Sequence, residues 1–138
     1  MSMKAVAPGK AVLTGEYSVL AGGPAVVLAT NSFVSISLES TGSESWAFET
    51  LGFESVPELV SPDRLPASSG SSLISAILKK FGFSKLRDLL EEGLPPSKII
   101  TDSANFFLSG KNLGLGSSAA GCTASYRLRC QVLSREPN

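Results

Sequence analysis

Between Phe33 and Glu39 the chain alternates: Val34, Ile36 and Leu38 point one way, and Ser35, Ser37 and Glu39 the other. A period of two is the mark of a half-buried β-strand, so this chain needs a sheet with one covered face. Other short runs supply partners. Ala5-Val6-Ala7 is an apolar run that Pro8-Gly9 is expected to stop, and Ala11-Val12-Leu13 follows before Gly15. Pro24–Ala29 is continuously apolar, which predicts a strand covered on both faces. Trp46, Phe48 and Thr50 alternate with Ala47 and Glu49 as a further strand, reached through the turn-like Ser40-Thr41-Gly42-Ser43.

The pattern then changes. From Gly52 to Ser72, Pro57, Pro62, Pro66 and a serine cluster predict irregular loop. Leu73, Ile74, Ile77, Leu78 and Phe81 fall at helical spacing after a serine cap, and Gly82 is a fitting stop. A second helix is expected over Ser84–Glu92, ended by Gly93 and Pro95-Pro96, and a strand over Lys98–Thr101. Strands first and helices later, without regular βαβ alternation, predict an α+β fold. At 138 residues there is room for one domain, residues 1–138.

Composition removes several functions. Twelve Lys+Arg balance twelve Asp+Glu, so no basic excess invites nucleic acid or an anionic membrane. Histidine is absent, which excludes His-dependent nucleophile triads and His-ligated metals. Cys122 and Cys130 are too few for a disulfide framework or a zinc cluster and are expected to be half-buried thiols in a reducing compartment. With no apolar run near the ~20 residues of a membrane helix and no signal peptide after Met1-Ser2-Met3-Lys4, the expected location is the cytoplasm.

Two segments carry chemistry. Gly114-Leu115-Gly116-Ser117-Ser118-Ala119-Ala120 combines glycines, which let backbone N–H groups meet a ligand, with small hydroxyl residues at a helix start. The unpaired N–H groups and positive dipole end there make a phosphate site. The same residues also fit a plain glycine turn with a serine cap. A Walker A loop is excluded, because Asn105 stands where its first glycine belongs and Asn112 follows Gly110-Lys111. Gly114, Gly116 and Ala119 match a dinucleotide fingerprint, but the chain ends before a second βαβ unit. The other segment, Ala7-Pro8-Gly9-Lys10 with Gly15-Glu16-Tyr17-Ser18, predicts a turn presenting a lysine, a compact cation suited to a phosphoryl group.

Together, in this order and separation, the two segments resemble the GHMP kinase superfamily, over nearly the whole chain. Gly15-Glu16-Tyr17 with Val19-Leu20, and Lys111-Asn112-Leu113 ahead of the glycine loop, are most similar to phosphomevalonate kinases; mevalonate kinases usually carry histidine at the position of Tyr17. The resemblance implies the N-terminal lobe of such a kinase, a ribosomal protein S5 domain 2-like fold. It implies ATP and Mg²⁺ as cofactors and phosphomevalonate, or alternatively mevalonate, as acceptor. Gly114, Leu115, Gly116, Ser117, Ser118 and Ala119 would bind the ATP phosphates and Ser118 the Mg²⁺. Lys10 would be catalytic and touch the acceptor, which Glu16, Tyr17 and Ser18 would line.

Members of the superfamily are two-lobed and longer, with a catalytic aspartate and an acidic metal ligand beyond the second segment. The expectation is a truncated chain with no assignable catalytic base. Gly121, Arg127 and Arg129 depart from the small apolar helix of the family, which fits a change of reading frame after Ala120; Tyr126, Cys130 and Leu133 would then form what apolar face remains. A non-catalytic nucleotide-binding remnant and a nonfunctional fragment are the alternatives.

Overall fold

The computed structural model describes residues 2–52 and 56–132. Seven strands and three helices form β1 (Ser2–Thr14), β2 (Val26–Ser40), β3 (Trp46–Leu51), β4 (Glu58–Val60), α1 (Ser72–Lys80), α2 (Arg87–Glu91), β5 (Ser97–Asp102), β6 (Phe107–Leu108), β7 (Lys111–Asn112) and α3 (Ser117–Val132). The main sheet has the order β1-β2-β5-β3-β4. All its neighbours are antiparallel except β3 and β5, which run parallel. The α+β fold is the one expected, and no helix among the described residues is long and apolar enough to cross a membrane.

The alternation from Phe33 decides which face is covered. Val34, Ile36 and Leu38 are buried, with Ala5 and Ala7 beside them on β1, Phe48 on β3 and Ile99 on β5. α3 closes this face across β1 and β2 and packs on α1. Ala120, Ala124 and Leu128, at i, i+4 and i+8, form its inner stripe. Of the expected apolar face, Cys130 is buried and Tyr126 stacks on Phe81 at 5.7 Å, while Leu133 lies outside the described residues. Gly121 has a packing role, since a Cβ there would come 2.8 Å from Leu73 Cδ2. Arg129 is accommodated with its guanidinium 4.0 Å above the Phe81 ring. Of the two thiols, Cys130 is buried and Cys122 exposed, so neither is half-buried.

Three further expectations are corrected. Pro8-Gly9 does not stop a strand: β1 runs through it, with a bulge between Pro8 and Lys10. β1 is an edge strand, where a proline costs no ladder bond on its open side. The Pro24–Ala29 run is not covered on both faces, because Val26, Val27 and Leu28 are each about half exposed in a ribbon with the end of β1. The helix expected over Ser84–Glu92 is only Arg87–Glu91. Its entry is held by the Asp88 carboxylate, which accepts the Ser84 and Lys85 N–H groups at 2.9 and 3.2 Å.

The segment expected to be irregular contains β4, and Glu58 organises it. Its carboxylate accepts the N–H groups of Ala67 and Ser68 at 3.0 Å each, the Ser71 hydroxyl at 3.0 Å, and an Arg64 guanidinium N–H at 3.0 Å. Burial pushes the Glu58 carboxyl up, but the Ala67 and Ser68 N–H groups and Arg64 outweigh it and hold the pKa at about 2, below the ordinary 4.5. A pKa lower in the folded chain stabilises it above the unfolded value, and that stability is lost as pH falls toward about 2. Chemical denaturation across this range is expected to show that loss. Glu58→Gln is expected to cost about 2 kcal/mol at neutral pH and to flatten the acid limb. An acid limb that keeps its slope in the variant would show that Glu58 is not its source.

Candidate phosphate site

The two segments singled out in the sequence meet at the N-terminus of α3. Lys10 donates its backbone N–H to the Leu115 carbonyl at 2.7 Å. Its aliphatic stem lies along Gly116, where a Cβ would come within 2.9 Å of Lys10 Cγ and 3.3 Å of Cε. Gly116 also has φ +75°, a left-handed conformation that glycine adopts without strain. The glycine loop can approach β1 only because Gly9 lacks a side chain. A Cβ at Gly9 would sit 2.6 Å from the Leu115 carbonyl oxygen, 2.6 Å from Phe106 Cε1 and 2.8 Å from Thr30 Oγ1.

The loop is held on its other side too. Leu113 donates its N–H to the Phe106 carbonyl at 2.9 Å, and Gly114 donates its N–H to Asn112 Oδ1 at 2.8 Å. The first bond within α3 runs from the Ala120 N–H to the Gly116 carbonyl at 3.0 Å. The N–H groups of Ser117, Ser118 and Ala119 therefore have no acceptor inside the helix, and they point out of its positive end. Gly114 differs from its neighbours, since its N–H is already used by Asn112. Asn112→Ala is expected to weaken phosphate-ligand binding about fivefold by loosening this turn, with Asn112→Asp keeping most of it. Titration with a nucleoside triphosphate analogue checks this; equal affinities in both variants would remove Asn112 from the site.

A cleft of about 320 Å³ opens beside the same helix end. Ser117 and Ser118 of α3 stand on one wall, Ser69, Gly70 and Ser72 at the start of α1 on another, and Thr50, Thr101 and Ser103 at the strand ends form its floor. The Thr101 hydroxyl is buried and has no hydrogen-bond partner among the described residues. Eight of the thirteen residues that line it are serine or threonine, beside Val34, Leu73 and Ile74, and none is acidic. Sequence reading did not anticipate the cleft wall from α1, Thr30 and Phe106 behind Gly9, or the role of Asn112. The Asn-x-Gly spacing of Asn112 and Gly114 was the one available signal.

Glu16, Tyr17 and Ser18 lie beyond the end of β1, in the turn that joins it to β2. The Ser18 hydroxyl faces the Gly15 and Pro24 carbonyls at 3.3 and 3.1 Å, and its carbonyl accepts the Gly23 N–H at 2.8 Å. Tyr17 is 80% exposed, so it is open to a ligand. No group of three or more Cys, Asp or Glu residues suited to a metal occurs among the described residues. A divalent cation here would have the Ser118 hydroxyl and the oxygens of a bound phosphate, a donor set Mg²⁺ accepts because it is commonly held through substrate phosphates.

No protein-family model and no curated protein matches the sequence. Solved structures do. The chain superposes on Streptococcus pneumoniae phosphomevalonate kinase in complex with phosphomevalonate and AMPPNP with a TM-score of 0.68 and 20% identity, covering 100% of this chain and 38% of that one. Methanococcus jannaschii mevalonate kinase gives 0.67 and 16%, covering 100% and 42%. A D-glycero-D-manno-heptose 1-phosphate kinase from Bacteroides thetaiotaomicron gives 0.66 and 19%, covering 97% and 42%. These neighbours are GHMP kinases, and their fold is the fold of this chain. The chain spans about two fifths of their length, as fits the N-terminal lobe.

Proposed function

We propose that residues 1–138 form the N-terminal, phosphate-binding domain of an ATP-dependent small-molecule kinase that phosphorylates 5-phosphomevalonate. The observation that carries this is the packing of the Lys10 stem along Gly116, which brings a lysine beside a helix N-terminus across a glycine loop. Phosphoryl transfer asks a protein mainly for positioning and charge stabilisation, and both are on offer here without histidine. The N–H groups of Ser117, Ser118 and Ala119 hold phosphate oxygens of ATP, with Gly114, Leu115 and Gly116 shaping the turn. The Lys10 ammonium reaches the transferred group and the acceptor oxygen and offsets the charge that develops between them. Ser118 would supply the protein's oxygen to Mg²⁺, whose charge would offset that of the phosphates. Tyr17 and Glu16 face the acceptor, and the Ser18 hydroxyl braces their turn.

The acceptor is the finer part of the reading. It is supported by Gly15-Glu16-Tyr17 and by the likeness to the kinase solved with phosphomevalonate, with mevalonate second. A non-catalytic, nucleotide-holding role has one observation in its favour: no acidic side chain lines the cleft to take the acceptor's proton. Two measurements separate the readings. Titration with Mg·AMPPNP is expected to give saturable binding in either case. Formation of 5-diphosphomevalonate from ATP and 5-phosphomevalonate is expected only from the kinase, and binding without turnover would leave the non-catalytic role. Absence of saturable binding would end both.

A further inference from the structure

The cleft wall that α1 provides is only loosely held by apolar packing. Leu73, Ile74, Ile77 and Leu78 are each part-buried, and the buried residue of the helix is Ser75. Polar tethers to two strands hold the wall instead. Thr50 of β3 donates its hydroxyl to the Gly70 carbonyl at 2.9 Å. Glu58 of β4 is the larger tether. Its Oε1 accepts the Ala67 N–H and an Arg64 guanidinium N–H, and its Oε2 accepts the Ser68 N–H and the Ser71 hydroxyl. Ser71 is 2% exposed, and its hydroxyl also lies 2.8 Å from that of Ser68. Glu58 therefore grips residues 67–71, and the chain runs straight on into Ser72 at the start of α1. Ser69, Gly70 and Ser72 stand across the cleft from Ser117 and Ser118, and the described lining residues do not include Glu58.

We propose that Glu58 is a positioning residue for the cleft, fixing the α1 wall at the spacing from α3 that a group carried on the bound phosphates needs. That need rests on the kinase reading; the placement of the wall does not. Leu73 and Gly121 set how closely the two helices approach, since a Cβ at Gly121 would come 2.8 Å from Leu73 Cδ2. The grip of Glu58 sets where the turn ahead of α1 stands. A carboxylate is required for it, because both oxygens accept and neither donates. Glutamine would turn an amide NH₂ onto two of the four donors. The negative charge is also kept from an anionic ligand: it pairs with Arg64 at 3.0 Å, outside the cleft lining.

Glu58→Gln tests this in the intact chain, with Mg·AMPPNP and Mg·tripolyphosphate as probes. Ser71→Ala is the milder second variant, since it leaves Ala67, Ser68 and Arg64 on Glu58. Tripolyphosphate meets the α3 end but carries nothing into the cleft. Kd for AMPPNP is expected to rise about tenfold in Glu58→Gln and about threefold in Ser71→Ala, with tripolyphosphate changed less than about twofold in either. In ligand-free Glu58→Gln, the Gly70 and Ser72 amides, which lie beyond the groups that Glu58 binds, are expected to shift, while those of Lys10 and Ser117–Ala119 stay in place. Equal weakening of both probes would make Glu58 a support of the whole fold and overturn the proposal. So would an unchanged AMPPNP affinity in both variants, or Gly70 and Ser72 amides that keep their wild-type shifts. A wild type that binds neither probe would end the kinase reading, and the amide shifts would still decide whether Glu58 places the wall.

Discussion

Gly9→Ala is expected to destabilise the fold by about 3 kcal/mol, lowering Tm by roughly 10 °C, and to abolish nucleotide binding at concentrations that saturate the wild type. The added methyl has nowhere to go. It meets the Leu115 carbonyl, the Phe106 ring and the Thr30 hydroxyl at 2.6–2.8 Å, and two of the three are fixed by neighbours. Phe106 is fully buried, and the Leu115 carbonyl accepts the Lys10 N–H. Relief requires the glycine loop to move off β1, which breaks that bond and separates Lys10 from Gly116. Stability and binding therefore fall together, as calorimetry and a titration with Mg·AMPPNP would register. A variant that melts like the wild type and binds normally would show that the loop does not depend on this close approach.

Lys10→Ala separates the two properties that Gly9→Ala joins. Lys10 is exposed and its backbone bond to Leu115 survives truncation, so unfolding is expected to change by less than about 1 kcal/mol. If the ammonium stabilises charge on the group in transfer, kcat falls roughly a hundred- to a thousandfold. KM for ATP changes little by comparison, since the helix-end N–H groups remain. Steady-state assay of 5-diphosphomevalonate formation by a full-length homologue carrying the substitution reads this split. A loss confined to KM would make Lys10 a ground-state binding group, and unchanged kcat would remove it from catalysis.

Much of this arrangement was legible before the structure, for definable reasons. The alternation of Val34, Ile36 and Leu38 named the covered face because strand geometry leaves no other way to bury all three. The start of α3 at Ser117 followed from glycines succeeded by small capping residues. Pro8-Gly9 misled, because a proline–glycine pair is a turn signal unless an edge strand and a bulge accommodate it, and edge position is a tertiary fact. The Pro24–Ala29 run misled for a related reason: an uncharged apolar run reads as core even where the fold leaves it half exposed. β4 was hidden because its three residues are too few to show a period, and Glu58 gathers its donors from six to thirteen residues away. The Lys10–Gly116 contact was beyond sequence reasoning on residues alone, since 106 positions separate the partners; only the resemblance placed them together.

The central claim is that Lys10 and the glycine loop act as one phosphate site, and amide chemical-shift mapping during titration with Mg·AMPPNP tests it most directly. The account predicts that the backbone amides of Lys10, Gly116, Ser117, Ser118 and Ala119 shift together and saturate with a single Kd. The amides of β4, at the opposite edge of the sheet from β1, are expected to stay in place. Saturable binding that moves the loop but leaves Lys10 unmoved, or moves neither segment, would contradict it.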